Sequence, residues 1–178
     1  MRDDVLGFWF REIDAQQWWA ADPGFDRLIA DRFRAVFEQA ARGELFDWRR
    51  EPRGRLAEII VLDQFSRNIH RNTPTAFAQD PMALVLAQEA VGGGAHRTLA
   101  PAECAFLLMP YMHSESRRIH ELAEPLFREF TPPGNHDFEL RHKAIIDRFG
   151  RYPHRNAVLG RESSAEENEF LKQPGSSF

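Results

Sequence analysis

A chain of 178 residues, 43% hydrophobic and 28% charged, is long enough for one domain with a substantial core and is not composed like a disordered segment. A formal charge of -4 offers no basic face for nucleic acid or an anionic membrane, and no apolar run approaches the roughly 20 residues of a spanning helix. The lone Cys104 excludes an internal disulfide, and Asp3 and Asp4 stand where a secretory leader would carry basic residues; the chain reads as a single cytoplasmic domain over residues 1–178.

The periodicity is helical throughout. Val5 to Phe10 and the pair Trp18, Trp19 read as short apolar anchors. From Phe25 the stripe Leu28, Ile29, Phe33, Val36, Phe37 and Ala40 has the spacing of an amphipathic helix, opened by Asp22-Pro23 and stopped by Gly43. A helix over about 53–67 carries apolar residues on more than one face and is expected to be central and buried. Asp80-Pro81 opens the next helix, which ends at the glycines 92–94, and Pro101 opens another with an expected kink or break at Pro110. A stripe from Ile119 to Phe130 contains Pro125, where a bend is expected. The last core helix is predicted over about 137–149, and Ser164-Ala-Glu-Glu167 is a capping box opening a short terminal helix. No strand pattern appears, so the expected fold is all-α, built from antiparallel helix pairs with short connections.

Three polar clusters interrupt this pattern. Asp63-Gln-Phe-Ser-Arg67-Asn68-Ile-His70-Arg71 crowds hydrogen-bonding groups around one helix end, a natural wall for an anion. Met109-Pro-Tyr-Met-His113-Ser-Glu115 places an imidazole on an apolar side, with a carboxylate near enough in sequence to fix its tautomer. Arg148-Phe-Gly-Arg-Tyr-Pro-His-Arg-Asn156, running on to Arg161, is too irregular for one helix and packs Arg151, His154, Arg155 and Asn156 around Pro153. Only Lys143 and Lys172 are lysines, so the positive charge is almost all arginine, whose planar fork suits carboxylate or phosphate. His113, Glu115, His142 and His154 are of types that suit zinc or manganese, yet no HExxH or paired CxxC spacing accompanies them and no metal site is assigned. Gly-rich phosphate loops, nucleophile elbows and dinucleotide fingerprints are missing too, so no cofactor is assigned. Windows 63–71 and 147–155 share Asp-x-Phe-x-Arg-x-x-His-Arg, a match that chance supplies in a chain this rich in Arg and Phe.

At these residues the chain resembles the bacterial family of unknown function numbered 924. The landmarks are Phe8-Trp9-Phe10, Trp18 with Phe25-Asp26, Leu62-Asp-Gln-Phe-Ser-Arg-Asn68, Met109 to Glu115, Arg148 to Asn156, and Leu159-Gly-Arg161. His120 stands where glutamine is expected and Ser164 where threonine is expected. The resemblance implies a tetratricopeptide-like helical fold and carries no activity. Functionally, the residues point to convergence of the three clusters on one pocket for a small anionic ligand, in a binding protein or an enzyme. Arg67, Asn68, Arg71, Arg151, Arg155 and Asn156 would hold the anion, and His113 or His154 would move a proton under orientation by Glu115 or Asp63. The alternatives are an interaction module in which the same groups clamp a peptide carboxylate, and an ion-pair network that is purely structural.

Overall fold

The apolar run at the start is more than an anchor: it forms helix α1, Arg2–Gly7, prolonged by a π-helical turn over Phe8–Glu12 in the computed structural model, which describes residues 1–177. After a 3-10 turn over Ala15–Trp19, the Asp22 carboxylate accepts hydrogen bonds from the amides of Gly24 and Phe25 at 2.6 and 3.2 Å. It thereby caps α2, Pro23–Ala41, whose Phe25, Ile29, Phe33, Val36, Phe37 and Ala40 face the core as their spacing predicts.

The expected central helix is α3, Pro52–Ile60, continued by a π-helical turn over Val61–Phe65 into α4, Ser66–Ile69. Every residue from Leu56 to Ser66 is buried, which explains why its apolar positions covered more than one face. Full burial of side chains such as Leu56, Ile59, Ile60 and Leu62 contributes roughly 1.5–3 kcal/mol each, against the entropy of ordering them. At Gly54 the path runs so close to the 3-10 turn Phe46–Arg50 that a Cβ would stand 1.9 Å from the Trp48 carbonyl oxygen.

Helix α5, Asp80–Gly92, stops at the glycines, where Gly94 takes φ 78°. Helices α6, Pro101–Met112, and α7, Arg117–Phe130, both run unbroken through their internal prolines. Pro110 lacks the N–H that would bond the Phe106 carbonyl, so one bond of α6 is missing while the helix continues to Met112. Helix α8 spans Pro133–Phe149, starting earlier than predicted because Pro133 sits in its first turn, where a missing N–H costs nothing. Ser164 Oγ accepts from the Glu167 amide at 3.1 Å while the Glu167 carboxylate accepts from the Ser164 amide at 2.7 Å, which caps α9, Ala165–Phe170, as the sequence predicts.

Helix α3 lies against α1, α5 and α6; α2 runs along the π-turn and α4; α6, α7 and α8 pack in succession. The links between these last three are so short that neighbours reverse direction, and no strand occurs among the described residues. An aromatic hub joins the layers, with Trp9 meeting Phe65 and Phe106 edge-on at 5.6 and 5.5 Å. Tyr152, beyond α8, packs with Ile145 and Ile146 of that helix into a small second cluster. No helix among the described residues is long and apolar enough to cross a membrane.

Candidate functional site

Six segments meet around a cavity of about 490 Å³: the Trp18–Ala21 stretch, the end of α4, the 3-10 turn Pro74–Phe77, the end of α6, one face of α8 and the 3-10 turn Pro153–Arg155. Its size is that of a small-molecule site. From the polar clusters it draws Arg67, Asn68, Arg71, His113, His154 and Arg155.

Asp63 sits behind this wall with its side chain 1% exposed. The π-turn that carries it is the local departure from α-geometry that often marks sites. Its Oδ1 accepts from His113 Nδ1–H at 2.7 Å and lies 3.0 Å from Arg67 Nη1, and its Oδ2 accepts from Gln64 at 2.5 Å. Burial pushes the Asp63 carboxyl up, but Arg67 and His113 outweigh it and hold the group well below the usual carboxylate range. For His113, burial and the neighbouring Arg67 charge outweigh Asp63 and keep the imidazole neutral. With Nδ1–H committed to Asp63, Nε2 keeps its lone pair and makes no hydrogen bond among the described residues.

Arg67 is held at both terminal nitrogens. It donates from Nη1 and Nη2 to the two oxygens of Asp80 at 2.8 and 3.0 Å, and from Nη1 to the Asp63 carbonyl at 2.9 Å. Arg155, only 6% exposed, receives what is left of Asp80: one contact from Nη1 at 3.4 Å. Its Nε is buried with no hydrogen-bond partner among the described residues. The guanidinium lies over the Phe77 and Tyr152 rings, 4.8 and 4.6 Å from their centres. Arg71 and Asn68 are both tied to Asp26 of α2, Arg71 by Nε and Nη2 at 2.5 and 2.7 Å and Asn68 at 2.8 Å. Next to them Asn72 adopts φ 62°, a conformation that side chains other than glycine's rarely take and that Asn tolerates best.

Two further histidines line the cavity. His142, whose Nδ1–H donates to the Phe138 carbonyl at 2.7 Å, is pushed by burial to about 3, and burial with the Arg155 charge lowers His154 to about 4. Both are neutral near pH 7. Among the described residues no three His, Cys, Asp or Glu side chains are grouped to hold a metal ion.

The clusters meet, with Asp63 rather than Glu115 orienting His113, while some of the other expected pairings do not form. Glu115 does not orient His113; it accepts from Arg161 Nη1 and Nη2 at 2.6 and 2.9 Å and from the Tyr152 amide at 2.8 Å, because the chain turns away from α6 at His113. Burial pushes Glu115 up, but Arg161 and the Tyr152 amide hold it below its ordinary range. Arg151 does not point inward. It binds Glu167 through Nε and Nη2 at 2.6 and 2.7 Å, which lowers Glu167 to about 2. Asn156 is buried away from the cavity, bonded to Ser163 and Arg161 at 3.0 Å each. The shared windows have no common role either, since Asp63 is buried in the network while Asp147 is an exposed partner of Lys143. His120, atypical in sequence, is buried between Glu139 and the Ser114 carbonyl at 2.7 and 2.9 Å and does not line the cavity.

Sequence reasoning missed Asp80, read there only as a helix opener, and the apolar walls formed by Trp18, Trp19, Phe77, Met109, Met112 and Phe138.

The family model for a bacterial protein of unknown function (DUF924) matches residues 5–175. A solved structure of a protein of unknown function from Agrobacterium tumefaciens, ATU0120, is 33% identical and superimposes with a TM-score of 0.91 over 96% of each chain. Comparison with curated proteins finds no match.

Proposed function

We propose that this chain, which belongs to the bacterial family of unknown function DUF924, binds a small anionic ligand in the cavity between α4, α6 and α8. The observation that carries this reading is Arg155: a buried guanidinium with a single long hydrogen bond, lining a cavity of ligand size. Burying a charge is costly unless its donors are satisfied, and an anion supplies the acceptors that Asp80, already held by Arg67, does not. Arg67 and the Asp63–His113 pair set the electrostatic frame around it. His113 Nε2, neutral and oriented by a carboxylate, is the group suited to take a proton from a bound ligand or water, which is the chemistry an enzyme at this site would use. Of the residues singled out in the sequence, Arg67, Asn68, Arg71, His113, His154 and Arg155 contribute to the site, Asp63 positions His113, and Glu115, Arg151 and Asn156 brace the following loop.

A thermal-shift panel of phosphate, sulfate, small carboxylates and carboxylate-terminated peptides tests this. A ligand at about 100 times its Kd stabilises the fold by roughly 2.7 kcal/mol, and Arg155→Met should remove that response while leaving the helical circular dichroism unchanged. A response to peptides alone would assign the site to an interaction module. Silence across the panel together with strong destabilisation by Arg155→Met would assign the cluster to structure.

A further inference from the structure

The geometry points to a monocarboxylate with an extended apolar body as the ligand, seated with its carboxylate at Arg155 and its body leaving the cavity along the rim formed by Trp19 and Phe138. This rests on the anion-binding reading and narrows it to one chemical class. Three features carry it.

The first is how few cations remain. Arg67 is bound to both oxygens of Asp80 and lies beside Asp63, and Arg71 is bound to both oxygens of Asp26. Of these three arginines Arg155 alone lacks a two-point carboxylate partner and has a buried donor without an acceptor among the described residues. One under-bonded guanidinium compensates one negative charge; a phosphate monoester dianion would bring a second charge with no cation left to meet it. The second is shape. The donors of Arg155 lie in the plane of its guanidinium, beside the Phe77 and Tyr152 rings, and a planar carboxylate meets such donors edge to edge.

The third is the gradient of exposure. The cationic end is the deep end, with Arg155 at 6%, whereas Trp19 and Phe138 are 60% and 51% exposed and stack at 6.5 Å with their planes 19° apart. Trp18, Met109 and Met112 continue the apolar wall inward. An inorganic anion would reach the arginine and leave these aromatic surfaces unused. An amphiphilic carboxylate uses both ends, with its body replacing water on Trp19 and Phe138.

Isothermal titration calorimetry with acetate, butyrate, hexanoate, octanoate, phenylacetate and inorganic phosphate tests the assignment on the unaltered protein. Each methylene that becomes buried should tighten binding about fourfold, from about 0.8 kcal/mol per buried CH2, until the chain emerges at the rim. Phosphate should bind more weakly than hexanoate. Trp19→Ala and Phe138→Ala, both at positions more than half exposed, should weaken octanoate and phenylacetate severalfold and leave butyrate nearly unchanged. A flat series, or phosphate binding more tightly than every carboxylate, would overturn this inference while leaving the anion site standing. No binding by any member would overturn both.

Discussion

Replacing Asp63 by Asn removes one negative charge and almost no volume from the least exposed part of the site. In the wild type the carboxylate meets His113 at 2.7 Å, Gln64 at 2.5 Å and Arg67 at 3.0 Å, all of them donors. The amide retains one acceptor and turns an NH2 toward donors. Breaking a buried ion pair from one side costs about 3–5 kcal/mol. Arg67 keeps both bonds to Asp80, so the lower end, about 3 kcal/mol, applies. With a urea dependence of roughly 2 kcal/mol/M, the unfolding midpoint should fall by about 1.5 M at pH 7. The pH dependence supplies a second check. Asp63 is held below its unfolded pKa of about 3.9, so its contribution is complete above that value and is lost as pH falls below it. The gap between wild type and Asp63→Asn should therefore narrow below about pH 4. A midpoint change under about 0.3 M, or a gap that stays constant into strong acid, would refute the assignment of Asp63 as an ionised anchor of His113 and Arg67.

Burial lowers His142 to about 3 and His154 to about 4, so the stability tied to their neutral forms is complete above the unfolded pKa of about 6.5 and is lost as pH falls toward 4. Each should remove up to about 1.4 kcal/mol per pH unit in that window, and urea unfolding between pH 7 and 5 should show a shallower slope in His142→Asn. Glu115→Gln should weaken the clasp of Arg161 and the Tyr152 amide and cost about 1–3 kcal/mol by thermal unfolding, yet leave the anion response intact. Loss of that response would place Glu115 in the ligand site. Gly54→Ala should destabilise by about 3 kcal/mol in urea, since the added Cβ meets the Trp48 backbone at 1.9 Å and neither backbone can yield cheaply.

Helix α2 was legible because one of its faces is wet and the other dry, and α9 because its capping pair is local chemistry. The π-turn over Val61–Phe65 was not legible: a helix buried on all sides shows no stripe whose phase could slip, and the extra residue appears only in the hydrogen-bond pairing. The first turn of α8 was hidden because Pro132-Pro133-Gly134 reads as a breaker when the second proline is in fact a starter. The polar clusters announced themselves by density, but their partners did not. Glu115 is two residues from His113 yet binds Arg161, and Arg151 and Arg155 part ways after Gly150 closes α8 at φ 70°. Asp80 looked like a helix opener and is the shared counter-ion. Trp19 and Phe138 resemble core residues in sequence, and only their exposure distinguishes them as a rim.

The π-turn over Val61–Phe65 divides one helical path into two halves whose rotational settings are independent. Upstream, Leu56 to Ile60 are keyed to the interior; downstream, Arg67 and Asn68 are keyed to the cavity. One surplus residue in a helix offsets everything after it by about 100° of rotation, the angular share of a single residue. Forcing the same residues into regular α-geometry, with none removed, would therefore leave α3 seated while swinging Arg67 and Asn68 off their targets, whereas deleting one residue within 61–65 would let the turn close with both still in phase. The turn works as a phase shifter: mutations in the upstream half are read by the stability of the fold, and mutations in the downstream half by what the cavity recognises, although both lie on the same helix.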